Sequence, residues 1–139
     1  MAGCMTFRRI FLAVSAATLA VGALSGCAVM DAVATKERER VFATHGDAAA
    51  DDVALPAFVP DDSTSIRMRT STEGDGTAEL VRFTTAQALP LPECEPGTLE
   101  GDPPFDTTWW PATVPETGSI CTGWQVFEQN GATYAWVSA

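Results

Sequence analysis

Histidine is nearly absent: the 139 residues hold one, His45. A hydrolytic triad therefore has no base outside the N-terminal third, and neither GxSxG nor SxxK occurs to supply a nucleophile. No residue qualifies as catalytic on this reading. No His/Cys/Asp/Glu constellation has the spacing of a zinc site, and no motif points to a cofactor. CxxC is missing, which removes the thioredoxin-like redox class. Basic residues are scarce, 8 Lys+Arg against 18 Asp+Glu, for a net charge of −10. Such a chain does not bind nucleic acid by neutralising phosphates. No apolar run reaches the roughly 20 residues that span a bilayer.

What is present begins with Arg8 and Arg9, followed by an uncharged, mostly apolar stretch of 15 residues, Ile10 to Leu24, then Ser25 and Gly26. This is the layout of a secretory signal peptide. Its end, Leu24-Ser25-Gly26-Cys27, resembles the lipobox of bacterial lipoproteins: an aliphatic residue, a small residue, Gly, Cys. The resemblance implies that residues 1–26 are removed and that Cys27 becomes a lipidated N-terminus. It implies a location on the extracytoplasmic face of a membrane and a membrane partner reached through the lipid. It implies nothing about activity. Single acyl chains bind membranes marginally, whereas two or more anchor stably. An ordinary signal cut near Ala28, or an uncleaved anchor, are the competing readings.

Loss of Arg8 and Arg9 leaves six basic residues against 18 acidic ones, a net charge of −12. Anionic headgroups repel such a surface, so the lipid must hold the protein in place. Cys4 leaves with the signal and Cys27 takes the lipid. Cys94 and Cys121 remain, and an even pair in an exported protein is expected to form one disulfide. Its loop of about 28 residues contributes roughly 3–4 kcal/mol in the chain-entropy model.

The mature chain divides into a lipidated linker, residues 27–53, and a globular domain, residues 54–139. The linker is rich in Ala and charge. Its TKERER run could form intrahelical pairs, but Gly46 to Asp52 lacks periodicity, so a flexible tether is expected. "LPAFVPDD", held extended by Pro56 and Pro60, leads into the domain. In length, plan and this lead-in the mature part is similar to small actinobacterial lipoproteins, a resemblance that brings no activity.

Two alternating runs, Ile66–Ser71 and Ala78–Thr85, flank TEGDGT and predict a hairpin. The loop lacks the spaced carboxylates of a calcium site and reads as a turn. Thr84 to Leu89 suggests a short helical turn. Residues 90–118 hold seven prolines and predict a long irregular segment, a length that points to a function there or to short strands without a sequence signal. Asn130-Gly131 between ICTGWQVFEQ and ATYAWVSA predicts a second hairpin through a type I′ turn. The expected fold is a small β-rich or α+β domain with two antiparallel hairpins and one disulfide, after a signal peptide and flexible linker.

A two-residue turn at Asn130-Gly131 pairs Phe127 with Tyr134 and Gln125 with Trp136. Trp124, Val126, Ala135 and Val137 take the other face, so both faces are largely apolar. Either both are covered, or Phe127, Tyr134 and Trp136 form a docking surface; burial of the rings decides. In the first hairpin an even-numbered turn places Arg67, Arg69 and Arg82 on one face, opposite Ile66, Met68, Val81 and Phe83. Like charges at neighbouring strand positions are unfavourable unless anions intervene. These arginines are either salt-bridged internally or form a small carboxylate or phosphate site. Asp106 and the Trp109-Trp110-Pro111 stretch offer acids beside aromatics, a combination that fits glycans as well as core filling.

Two functional readings follow. One is a non-catalytic binding or protein-interaction module, with an envelope protein or glycan as partner. The other is a cell-envelope enzyme or accessory acting through carboxylates. The missing histidine, serine motif and metal ligands favour the first.

Overall fold

The computed structural model describes residues 37–71 and 77–139. The signal, the lipobox and Cys27 lie outside the described residues, as do residues 72–76 of the TEGDGT loop. Seven strands form one antiparallel sheet: β1 Glu37–Thr44, β2 Thr64–Ser71, β3 Ala78–Thr84, β4 Glu95–Thr98, β5 Thr117–Cys121, β6 Trp124–Gln129 and β7 Ala132–Val137. Their spatial order is β1-β2-β3-β7-β6-β5-β4. One short helix, α1 (His45–Ala50), follows β1. The domain is therefore mainly β, with one disulfide joining Cys94 and Cys121.

The expected tether is corrected over residues 37–53. Glu37–Thr44 pairs along the length of β2, from Glu37↔Ser71 to Thr44↔Thr64. Its charges suit an edge strand, where they discourage further pairing, and its one inward anchor is the buried Phe42. Thr44 then starts α1 with a capping box. Its hydroxyl accepts from the Asp47 amide at 3.2 Å, and the Asp47 carboxylate accepts from the Thr44 amide at 3.0 Å. This satisfies end groups of a helix too short to persist alone, and it seats Ala48 in the core. The domain thus begins by residue 37, not residue 54.

Both hairpin predictions match the register. Asn130 and Gly131 have φ of 54° and 76°, as a type I′ turn requires. Phe127 opposes Tyr134 and Gln125 opposes Trp136. Arg67 opposes Arg82, with Met68 opposite Val81 on the other face. A further tight turn at Thr122-Gly123 separates β5 from β6, with φ of 49° and 89°. A β-branched residue is uncommon at positive φ, so ICTGWQ carries no usual turn signal. The helical turn expected at residues 84–89 does not form; Asp62 instead accepts hydrogen bonds from Thr85 Oγ1 at 2.8 Å and the Ala86 amide at 3.2 Å.

The sheet is covered on both faces. On one, α1, residues 53–59 and Leu89–Cys94 pack over Phe42, Ile66, Met68, Val81, Phe83, Val126 and Ala135. On the other, Leu99, Phe105, Trp109, Trp110 and Val114 pack over Leu80, Phe127, Tyr134 and Trp136. This second cover is the β4–β5 connection, residues 99–116, closed at its base by Leu99 N–H donating to the Glu116 carbonyl at 2.9 Å. We call it the strap. Within the Pro-rich segment 90–118, residues 95–98 form β4 and residues 117–118 begin β5, so the expected irregular course holds for residues 99–116, which cap a sheet face rather than extending the sheet.

Gly118 lets the strap close. A Cβ there would lie 2.3 Å from the Val126 carbonyl oxygen and 2.9 Å from Leu99 Cδ2. Gly118→Ala is expected to lower stability by about 2–3 kcal/mol through this overlap, read from the urea midpoint. Glu79 on β3 gives a second test. Burial pushes its carboxyl pKa up. The folded state then holds the proton more tightly than the unfolded chain, so the associated stability is present at low pH and is lost as pH rises through the raised value. Glu79→Gln should raise the melting temperature at about pH 7 and leave it unchanged at about pH 3, where the carboxyl is protonated in both states.

Candidate functional site

The strap does more than cover the sheet. It encloses a cleft of about 590 Å³, within the size range of small-molecule sites. Asp102 and Asp106 supply carboxylates, while Phe105, Trp110 and Val114 supply apolar wall. The strap's proline and glycine content favours a looped path over a strand or helix, and its aromatics fix that path on the sheet. Trp110 sits edge-on to Phe127, Tyr134 and Trp136, at centroid distances of 5.8, 5.4 and 6.1 Å. Below it Phe127 and Tyr134 stack at 5.3 Å. Trp109 turns aside and donates its Nε1–H to Glu39 Oε1 at 3.2 Å.

This arrangement corrects the docking surface expected on the second hairpin. Phe127, Tyr134 and Trp136 are 1%, 7% and 1% exposed. The rings are core beneath the strap, and a partner cannot reach them. Trp110 is the member of the cluster that also lines the cleft. Two polar atoms of cleft-lining residues, Trp110 Nε1 and Thr107 Oγ1, are buried with no hydrogen-bond partner. Such atoms each destabilise by about 1–3 kcal/mol. They are closed off from solvent, so a ligand meets them only if the strap shifts.

The three arginines do share a face, but they do not act as one group. The Arg69 side chain donates to Glu37 Oε2, from Nε at 3.0 Å and also from Nη2, and to the Asp106 carbonyl at 3.4 Å. It also lies 5.8 Å from the centroid of Phe105. Arg69 therefore fastens the strap to β1 and β2. Arg67 Nη1 is 4.0 Å from Glu39 Oε1, the oxygen that accepts from Trp109. Arg82 is held by Tyr134: Nε donates to the hydroxyl at 3.4 Å, and the guanidinium is 5.8 Å from the ring centroid. Internal pairing thus accounts for Arg69 and reaches Arg67, so the three arginines do not form one group.

A smaller recess of about 190 Å³ lies beside the disulfide, walled by Phe58, Glu93, Cys121 and Trp124. Among the described residues no group of three or more His, Cys, Asp or Glu could hold a metal ion. Among them, too, no helix is long and apolar enough to cross a membrane. Sequence reasoning flagged Asp106 and Trp110 but missed Asp102, Phe105 and Thr107. The run of prolines was the usable signal, since it marked the segment as neither strand nor helix.

Fold and site together define a disulfide-linked, two-sided antiparallel sheet with a ligand-sized cleft in the loop that covers it. No family model, curated protein or solved structure matches the chain.

Proposed function

We propose that this protein is a lipid-anchored, extracytoplasmic binding module whose ligand occupies the strap cleft. The lipobox-like LSGC supports the anchor at Cys27. The cleft itself supports the binding role: Asp102 and Asp106 line one ligand-sized recess together with Phe105 and Trp110. Its chemistry sets the ligand class. The cleft's lining holds two carboxylates and no Lys or Arg, which disfavours anions. An uncharged, hydroxyl-rich ligand fits best. Its hydroxyls donate to the two carboxylates and its carbons pack on the apolar wall, which makes an envelope glycan the favoured class.

Titration with neutral, cationic and acidic saccharides, followed by tryptophan fluorescence, tests the ligand. A saturable response to neutral saccharides is expected, weakened about tenfold or more in Asp102→Asn or Asp106→Asn. No saturable response to any saccharide would reduce the strap to a cover. Turnover of the ligand, lost in either variant, would favour the envelope enzyme over the module. The anchor is tested separately: Cys27→Ala is expected to move the protein from the membrane fraction to the soluble fraction.

A further inference from the structure

Charge on the strap-side face of β1, β2 and β3 does not balance. Alternation places Glu37, Glu39 and Val41 of β1, Arg67 and Arg69 of β2, and Leu80 and Arg82 of β3 on this face. Three arginines meet two carboxylates, leaving one positive charge. The pairing locates it. Arg69 is held by Glu37, and Arg67 lies at the limit of ion-pairing distance from Glu39. No carboxylate among the described residues pairs with Arg82. Its Nε is taken by the Tyr134 hydroxyl, which leaves the two terminal amino groups of the fork unused.

Arg82 also stands directly opposite Arg67, and Arg67 directly opposite Val41. Directly paired strand residues have Cβ atoms about 4.5–5.5 Å apart, so the two cations repel each other. Loss of that repulsion is the gain an anion brings. Val41 completes the row. It is 60% exposed and is the one exposed large hydrophobic among the described residues. Two strand spacings separate it from Arg82, about 10 Å.

We infer that Arg82 and Arg67, with Val41, form a binding site for a monocarboxylate that carries an apolar body. The carboxylate sits in the fork of Arg82, with Arg67 as the second cation. One negative charge matches the single surplus positive one, and a planar carboxylate matches the two parallel donors of a guanidinium edge. The Tyr134 hydroxyl accepts from Arg82 Nε and so holds the guanidinium in place. The apolar body runs across the Arg67 stem to Val41, where contact removes exposed hydrocarbon from water. This site is separate from the strap cleft and does not depend on what the cleft binds.

Octanoate, acetate and inorganic phosphate are the probes, with binding followed by ¹H–¹⁵N NMR of the full domain, including the arginine Nε–H signals. Octanoate is expected to bind saturably, to shift the Arg82 signal, and to bind severalfold tighter than acetate. Arg82→Gln should weaken octanoate about tenfold or more, as loss of a charge-assisted pair implies. Arg82→Lys should weaken it as well, because it keeps the charge and loses the fork. Val41→Ser should abolish the preference for octanoate over acetate. Asp102→Asn, in the cleft, should leave octanoate binding unchanged, so failure here and failure of the cleft reading are separable. An unchanged melting temperature and circular dichroism spectrum establish that each variant folds. Absence of saturable octanoate binding, undiminished binding in Arg82→Gln, or binding of phosphate in preference to octanoate would each overturn the assignment.

Discussion

Trp136→Ala is expected to lower stability by about 3–5 kcal/mol, the usual loss for truncating a buried tryptophan. Domains of this kind have roughly 5–15 kcal/mol in total, so the variant stands near the edge of folding. Trp136 lies at the join of β3 and β6 through β7, opposite Leu80 on one side and Gln125 on the other. Its ring meets Phe127 at 6.1 Å and Trp110 at 6.1 Å. Truncation therefore opens a cavity under the strap and removes a surface on which the strap rests. The neighbouring Trp110→Ala should behave differently. Trp110 is only partly buried, so less stability is lost, but the strap loses its central contact and the cleft its wall. Urea unfolding followed by far-UV circular dichroism measures the first effect. Near-UV circular dichroism, sensitive to packed aromatics, measures the second. Equal stability losses in the two variants would contradict this division of roles.

Removing the disulfide is expected to have the second large effect. Cys94→Ala/Cys121→Ala should lose roughly 3–4 kcal/mol in the chain-entropy model, for a sequence separation of 27. Cys121 is buried in the core at the end of β5, and Cys94 immediately precedes β4. The bridge thus fastens the outermost strand on that side. β4 is short, Glu95–Thr98, and contains Pro96, which has no amide hydrogen to donate. Without the bridge β4 has little to hold it, and the strap starts from β4. Loss of the disulfide should therefore raise amide exchange in β4, β5 and the strap before it does so in β1–β3. Equal urea midpoints for oxidised and reduced protein would show that the bridge contributes nothing.

The sequence made much of this fold legible wherever a local rule was decisive. Asn130-Gly131 specified its turn, and the turn specified which side chains meet across β6 and β7. Alternation around Arg67, Met68 and Arg69 specified the two faces of β2. Charge and cysteine counting singled out Cys94 and Cys121. What stayed hidden depended on distant partners. Nothing in ERERVFAT alternates in hydrophobicity apart from Phe42, because an edge strand takes its shape from its neighbour. The capping box at Thr44 and Asp47 was readable in principle, but six residues gave too little periodicity to accompany it. The two apolar faces of the second hairpin posed the right question, whether both are covered. The answer lay in how residues 99–116 fold back, which no periodic pattern encodes. The cleft was invisible for the same reason: Asp102, Phe105 and Asp106 become neighbours only through the course of an irregular loop. Of the arginines, sequence gave the shared face but not the separation of Arg69 from the other two, which required Glu37 to be in a strand.

The position of β7 bears on how the chain is made. It follows the other six strands in sequence, yet it occupies the middle of the sheet, between β3 and β6. Synthesis delivers β1–β3 and β4–β6 as two blocks with no strand in common. Only the arrival of residues 132–137 joins them. The sheet therefore cannot close until this last strand has been made, and the two earlier blocks stay apart until the central strand follows them.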